Sequence, residues 1–382
     1  MKYFTRTALA MALITTLTAC GGSGSDDSST ENTSSSFSFT ATETITNLTD
    51  DVIVAGYENL ALQGDALLLA TQTLLNNATT ENLLAAQAAW KAARAPWEQG
   101  ESHIFGPVDA LGIDPHLDSW PLNTSDLTKV LANNSGFDAA TIKTWNDDVQ
   151  GFHTMEYLLF GNGINTNEKS IDELSLSQRE YLAALAEVFR DYTASLADAW
   201  TVSYDAGNGA AYADSLKTPG ENNNTFYSSN LSVIQELVNG MIGIVDEVGN
   251  GKIADPFGES LAQADTSKVE SQYSWNSLTD FSDNIKGVRN VYEGEFLGSS
   301  DKSGIVDFVT AADAKLAARI SAEINEAILL IEAIAGSNDT PFRQAISDVD
   351  GRVRIQAAID ALSTLQTSLE NDVIPLLSQW DI

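Results

Sequence analysis

The chain has 382 residues, with 20 Lys+Arg against 53 Asp+Glu and a formal net charge of -33. That balance excludes nucleic-acid binding, which needs basic patches to neutralise phosphates, and polybasic docking on an anionic membrane. A single cysteine excludes a disulfide framework or a cysteine-built zinc or iron–sulfur site within one chain, while a hydrophobic fraction of 43% supports real cores rather than global disorder.

Residues 1–19 read as a lipoprotein signal peptide. Lys2 and Arg6 give the positive start, and Ala8–Leu17 is an apolar stretch too short to span a bilayer comfortably. Leu17-Thr18-Ala19-Cys20 then reads as a lipobox, with Cys20 the site of lipidation. Two or three acyl chains anchor a protein stably, whereas one does not. Gly21 rather than Asp follows the cysteine, so the expected location is the outer membrane, facing the periplasm. Residues 20–42 are Gly/Ser/Thr/Asp/Asn-rich and are expected to form a flexible tether.

From Glu43 the texture turns helical. Ile45, Leu48, Val52, Ala55, Leu60 and Leu67 recur at helical spacing. Thr80 is the expected N-cap of a second helix, which Pro96 bends or ends. Glu98–Asn134 is Gly/Pro-rich and irregular, and long loops of this kind are usually functional. A third helix is expected over Asp138–Phe160 and a fourth over Ser177–Val202. A Gly/Asn-rich linker follows at 205–225, then four more helical stretches: Tyr227–Val248, Ser277–Phe296, Thr310–Ile334 and Thr340–Leu377. The last has Thr340 as N-cap and Pro341 at its first position. No alternating strand pattern is present. The expected fold is all-α, two four-helix bundles over 43–204 and 226–382. Asp147–Phe152 matches Asp283–Val288 well enough to suggest an internal repeat, with His153 falling on Arg289 and Glu156 on Tyr292.

Chemistry concentrates in two stretches. In Gly151–Gly161, His153 and Glu156 lie three apart and share a helix face. An imidazole and a carboxylate so placed can ligate one metal, with iron, zinc, manganese and copper all compatible. They can equally form a buried hydrogen-bonded pair, since the spacing alone is a weak motif. In Trp90–Glu101, an arginine among aromatics precedes carboxylates. One reading is an ion pair with packing. The other makes Glu101 a third ligand and Arg94 the group that orients it. His103 and Asp109 are further candidates.

Together these stretches resemble the imelysin family of iron-regulated-protein-A-like proteins, catalogued among metallopeptidases. Its signature Gly-x-His-x-x-Glu is met by Gly151, His153 and Glu156. Trp90, Arg94 and Trp97, then Glu101, Gly106-Pro107-Val108-Asp109 and Trp120-Pro121-Leu122 match further blocks, as do Glu270–Asn276, Asp280-Phe281 and Gly287–Tyr292. Trp97 stands where the family pattern often has Tyr. The resemblance implies two helical bundles with a metal site near their contact. The ligands would be His153, Glu156 and Glu101, with Arg94, Trp97 and Asp109 around them. It also implies a role in iron uptake beside iron-transport components, with iron as the expected metal and zinc the second choice. The alternative is a metallopeptidase. Against conventional zincin chemistry, His-Glu-x-x-His is absent, and Thr154 follows His153 where a zincin has Glu. Arg289 cannot deprotonate to ligate, so one site per chain is expected.

If Cys20 carries the anchor, Cys20→Ser should move the exported protein from the membrane to the soluble fraction. A variant that stays as firmly bound as wild type in a carbonate wash would refute the assignment.

Overall fold

The computed structural model describes residues 36–133, 136–204, 207, 209–296 and 302–382. The signal peptide, Cys20 and the tether up to residue 35 lie outside these described residues. Two sets of four principal helices organise the rest. The first set is α1 (Ala55–Asn76), α2 (Thr80–Gly100), α3 (Gly151–Phe160) and α4 (Leu176–Thr201). The second is α5 (Asn230–Asp246), α6 (Ser277–Glu293), α7 (Ala314–Ala333) and α8 (Val349–Ser368). In the first set α1 packs on α2 and α4, and α3 packs on α2 and α4. In the second, α6 packs on α5 and α7, and α8 packs on α5 and α7. Among the described residues the only strands are Phe37–Ser38 and Trp380–Asp381, a short parallel pair. Among the same residues no helix is long and apolar enough to cross a membrane.

Local chemistry explains where the helices start and stop. Leu60, Leu67 and Leu74, one heptad apart, are buried along α1. The cap of α2 is Thr79, one residue earlier than expected, because Thr79 is extended and its side chain accepts from the Asn82 N–H. Pro96 does not end α2, which runs on to Gly100. Proline removes one hydrogen bond from a helix, and here Trp90, Arg94, Trp97 and Glu98 are buried on both sides of it. The helix expected over Asp138–Phe160 is broken. Asp138 caps a single turn at Ala139–Ile142, a 3-10 turn covers Asp147–Val149, and α3 begins only at Gly151. Asp313 interrupts the helix expected over Thr310–Ile334 and caps α7, accepting from Lys315 and Leu316 N–H. Pro341, not Thr340, is the cap of a short turn at Phe342–Ala345, and Asp348 caps α8. The irregular stretch after α2 holds short helices at Pro107–Ala110, Asp114–Asp118 and Thr124–Asn133. The linker region carries a short helix at Tyr212–Lys217.

The expected tether ends earlier than residue 42. Phe37 and Phe39 meet the Phe308 ring edge-on at 5.4 and 5.6 Å, and Trp380 Nε1 donates to the Phe39 carbonyl at 3.0 Å. Partly burying two phenyl rings outweighs the flexibility of the Ser/Thr-rich composition around them.

The two sets of helices meet where α2 packs on α6, and where the turn Glu101–His103 packs on α5. Gly287 makes the first contact possible, since a Cβ there would lie 2.2 Å from the Gln99 carbonyl oxygen. His103 is buried at this junction. Its Nδ1 is 3.2 Å from the Tyr57 hydroxyl, which donates to the His103 carbonyl. Burial lowers the imidazole pKa to about 4 from an ordinary 6.5. Above pH 6.5 the ring is neutral whether folded or unfolded. As pH falls from 6.5 towards 4 the unfolded chain takes up a proton that the folded chain refuses, so stability falls. Over that window the wild type should lose up to roughly 3 kcal/mol more than His103→Gln. Urea melts at several pH values measure it, and parallel acid limbs for the two proteins would show that His103 contributes nothing.

Candidate metal centre

Arg94 is the hub of the site. It sits on the inward face of α2, wholly buried, with its guanidinium 4.7 Å from the Phe152 ring. Nη1 donates to Asp118 Oδ1 at 2.5 Å. Nη2 donates to Glu98 on the same helix and to Glu270 Oε1 at 2.9 Å, and Asp280 Oδ2 lies 3.5 Å away. A planar fork of five N–H groups suits such convergence. Burial opposes the guanidinium charge, but Asp118, Asp280 and Glu270 outweigh that and raise its pKa further. In return, although burial works against its charge, Asp118 is held well below the usual carboxylate range by Arg94 and His153.

Asp118 ends the short helix Asp114–Asp118. That helix end lies against the start of α3, because Gly151 has φ +67° and no Cβ. A Cβ there would fall 2.4 Å from the Leu117 carbonyl oxygen. Two residues on, His153 therefore faces Asp118. Trp97 Nε1 donates to the other oxygen of Asp118 at 2.7 Å. A phenol in place of this indole would have a different reach.

His153 and Glu156 meet through the far side of the ring. Glu156 Oε2 lies 3.0 Å from His153 Nδ1. Glu156 Oε1 accepts from the backbone N–H groups of Tyr273 and Ser274 at 2.9 and 2.7 Å, and from the Ser274 hydroxyl at 2.8 Å. An ionised carboxylate only accepts, so it fixes the proton on Nδ1 and leaves Nε2 for another partner. Nε2 is buried and has no hydrogen-bond partner. It points at Asp118 Oδ1, 3.1 Å away but off hydrogen-bond alignment, and at Glu270 Oε1, 4.0 Å away. Burial disfavours the imidazolium. The close carboxylates of Asp118 and then Glu156 prevail and raise the pKa to about 9. Ligation at Nε2 would therefore exchange a proton for the ion.

The cradle around Glu156 is a tight turn from the second set of helices. Ser271 and Trp275 adopt φ of 50° and 61°, left-handed values that cost a non-glycine residue about 1 kcal/mol or more each. They bracket the two N–H groups that face Glu156. The turn is held by Ser277 Oγ on the Glu270 carbonyl at 2.6 Å and Trp275 Nε1 on the Gly163 carbonyl at 2.8 Å. Trp120 stands edge-on to His153 at 4.6 Å, with Tyr273 beyond it at 6.0 Å.

Asp118, His153 and Glu270 offer donor atoms that all lie within 4.8 Å of one another. Two donors each about 2.1 Å from one ion are at most about 4.2 Å apart, so the two pairs involving Nε2 are already within range. A carboxylate oxygen that accepts one hydrogen bond keeps a second lone pair, so Arg94 does not exhaust Asp118 Oδ1, whereas Glu270 Oε1 also accepts from Lys252 Nζ at 3.4 Å and would exchange that long contact for the ion. The set of one nitrogen and two carboxylates fits iron, zinc or manganese. Among the described residues, the six carboxylates Glu98, Glu101, Asp118, Glu156, Glu270 and Asp280 share the site with Arg94, Lys252 and His153 as balancing groups.

The other sequence candidates lie elsewhere. Glu101 Oε2 accepts from Lys252 Nζ at 2.8 Å and Asn284 Nδ2 at 2.6 Å, and is not among the three donors around Nε2. Burial pushes it up to about 8 against the pull of Lys252. Asp109 is exposed on the helix Pro107–Ala110. The remaining histidine, His116, which the sequence did not single out, pairs with Asp147 at 2.6 Å. Sequence reasoning missed Asp118 and Glu270 as donors, although Asp118 lies two residues before Trp120-Pro121-Leu122 and Glu270 opens the block Glu270–Asn276.

The imelysin family model matches residues 53–369. Iron-regulated protein A of Synechococcus elongatus is 28% identical over 335 residues, covering 88% of this chain and 86% of that protein. The crystal structure of a candidate iron-regulated protein A precursor from Parabacteroides distasonis has a TM-score of 0.76 at 25% identity, covering 89% of this chain and 95% of that one. An imelysin-like protein from Psychrobacter arcticum shares the fold, with a TM-score of 0.68 at 15% identity over 90% and 98% of the two chains.

Gly151→Ala should destabilise the chain by roughly 2–4 kcal/mol, combining left-handed strain with a backbone clash. Gly112→Ala, also at positive φ (+62°) but facing open space, should cost only about 1–2 kcal/mol. Equal losses in denaturant melts would remove the close approach to Leu117 as the reason for Gly151.

Proposed function

Because this chain belongs to the imelysin family, we propose that it is a lipid-anchored, periplasm-facing protein of iron acquisition that binds a metal ion through His153, Asp118 and Glu270. The observation that carries the reading is His153 Nε2. It is buried, lacks a hydrogen-bond partner, and lies 3.1 Å from Asp118 Oδ1. A buried imidazole nitrogen that faces two carboxylates without an aligned hydrogen bond is open to a bound cation. Kinship with iron-regulated protein A makes iron the first choice of ion.

In this reading the motif divides its labour. His153 supplies the nitrogen donor, and Glu156 holds the ring in the correct tautomer and orientation. Arg94 and Trp97 keep Asp118 ionised and aimed. A bound iron ion would supply positive charge to a site rich in carboxylates. Lipidation at Cys20 would keep the cargo at the outer membrane, within reach of transport components.

The test is a metal titration under anaerobic conditions with iron(II), repeated with zinc. Wild type should bind one ion. His153→Ala and Asp118→Asn should each weaken binding at least tenfold, as expected for a lost ligand, and Glu270→Gln should follow them. Glu101→Gln should weaken it less than any of these. Unchanged binding in His153→Ala and Asp118→Asn would make the cluster a structural hydrogen-bond network instead.

A further inference from the structure

Among the described residues, Lys252 is the one lysine drawn into the charged core of the site. It lies in a π-helical stretch, Glu247–Ala254, that follows α5, and it is only 8% exposed. Such stretches carry extra residues per turn, re-aim side chains, and are frequent at functional sites. Its Nζ contacts three carboxylates: Glu101 Oε2 at 2.8 Å, Glu98 Oε2 at 3.2 Å and Glu270 Oε1 at 3.4 Å. Taking an ammonium out of water costs several kcal/mol unless it is paired this fully. Burial opposes its charge, yet Glu101 and Glu270 more than compensate.

The oxygen that Lys252 shares with the neighbouring site is the informative one. Glu270 Oε1 is a donor in the group with His153 Nε2 and Asp118, and it also contacts the ammonium. One carboxylate thus lies between two cation positions. The first offers His153 and Asp118. The second offers Glu98 and Glu101. That is the layout of a carboxylate-bridged pair of cations, in which two metal ions commonly stand about 3.5–4 Å apart. Asn284 adds to the second position. Its Nδ2 donates to Glu98 Oε2 and Glu101 Oε2 at 2.6 Å each, while its Oδ1 is buried without a partner. A half-turn of that amide would present an oxygen donor in place of the N–H groups.

We infer that Lys252 occupies the second position of a carboxylate-bridged two-cation site and so restricts the chain to one metal ion. The inference rests on the reading that His153, Asp118 and Glu270 form the first position. Lys252 supplies a fixed single charge where an ion would supply two or three. It therefore stabilises the acidic cluster without metal and keeps paired-metal chemistry from arising there.

The test is metal stoichiometry. Wild type, Lys252→Gln and Lys252→Arg are dialysed to equilibrium against manganese(II), which suits oxygen donors. Bound metal is then measured, and the EPR spectrum is recorded. Wild type and Lys252→Arg should each hold one ion with an isolated manganese spectrum. Lys252→Gln should hold two ions with a spin-coupled spectrum, and manganese should raise its Tm more than it raises that of wild type. One ion in both wild type and Lys252→Gln overturns the inference and leaves the His153 site standing. No bound ion in any of the three proteins overturns both. If Lys252→Gln does not fold, the charge-balanced pair Lys252→Gln with Glu101→Gln serves instead. Glu98 and Glu270 remain in it, so a second, weaker ion is expected, and a single ion counts against the inference.

Discussion

Three stretches of chain converge on the buried Arg94 guanidinium: α2 through Glu98, the short helix before Trp120 through Asp118, and the turn before α6 through Glu270. A buried cation is tolerated only when nearly all its N–H groups are answered by charge. The need to answer it ties the first set of helices to the second. It also places two carboxylates beside His153 and holds one of them, Asp118, in its ionised form. Replacing Arg94 by an apolar residue would leave acids facing acids in a dry environment. Much of the surrounding geometry follows from that single charge.

A second constraint works from the other side of the imidazole. Glu156 belongs to α3, but its hydrogen bonds go to backbone N–H groups of Tyr273 and Ser274, which come from the second set of helices. The ring of His153 is thus gripped between an acid that answers a distant turn and an acid that answers Arg94. Left-handed backbone at Ser271 and Trp275 is the local cost of turning those N–H groups inward. Gly287 permits the close helix contact that brings both grips together. Pre-organisation of this kind lets a metal site form with little side-chain ordering on binding.

The sequence disclosed what depends on local periodicity and little of what depends on long-range closure. Helix faces such as Leu60, Leu67 and Leu74 were legible because their spacing repeats within one element. The break at Gly151 was not, since a glycine inside an apolar run reads as tolerated helix until the Leu117 carbonyl against it is known. His153 was legible as a donor because few histidines exist and this one lies on an apolar helix. Its carboxylate partners were not. Asp118 and Glu270 are 152 positions apart, and no spacing rule joins them. Lys252 carried no signal at all, since a lysine beside Gly and Asn reads as surface until the π-helical turn is seen to aim it inward.

The same distinction changes the meaning of the His-x-x-Glu spacing. Two residues three apart on a helix can share a ligand, but they can also satisfy each other, and in α3 the second geometry holds. The motif then specifies a tautomer, and the remaining donors are drawn from distant segments. A centre built that way is coupled to the fold, because an ion that engages His153, Asp118 and Glu270 joins α3, the loop region after α2 and the turn before α6. Ion binding to the folded chain alone adds stability in proportion to the logarithm of ion concentration over Kd. The apo chain must meanwhile contain the repulsion among its carboxylates, and Arg94 and Lys252 do so together with His153. The chain's general acidity attracts cations from solution but cannot select among them. In the proposed centre, selection would fall to this one nitrogen, its two carboxylates and the charge that Arg94 and Lys252 leave unanswered.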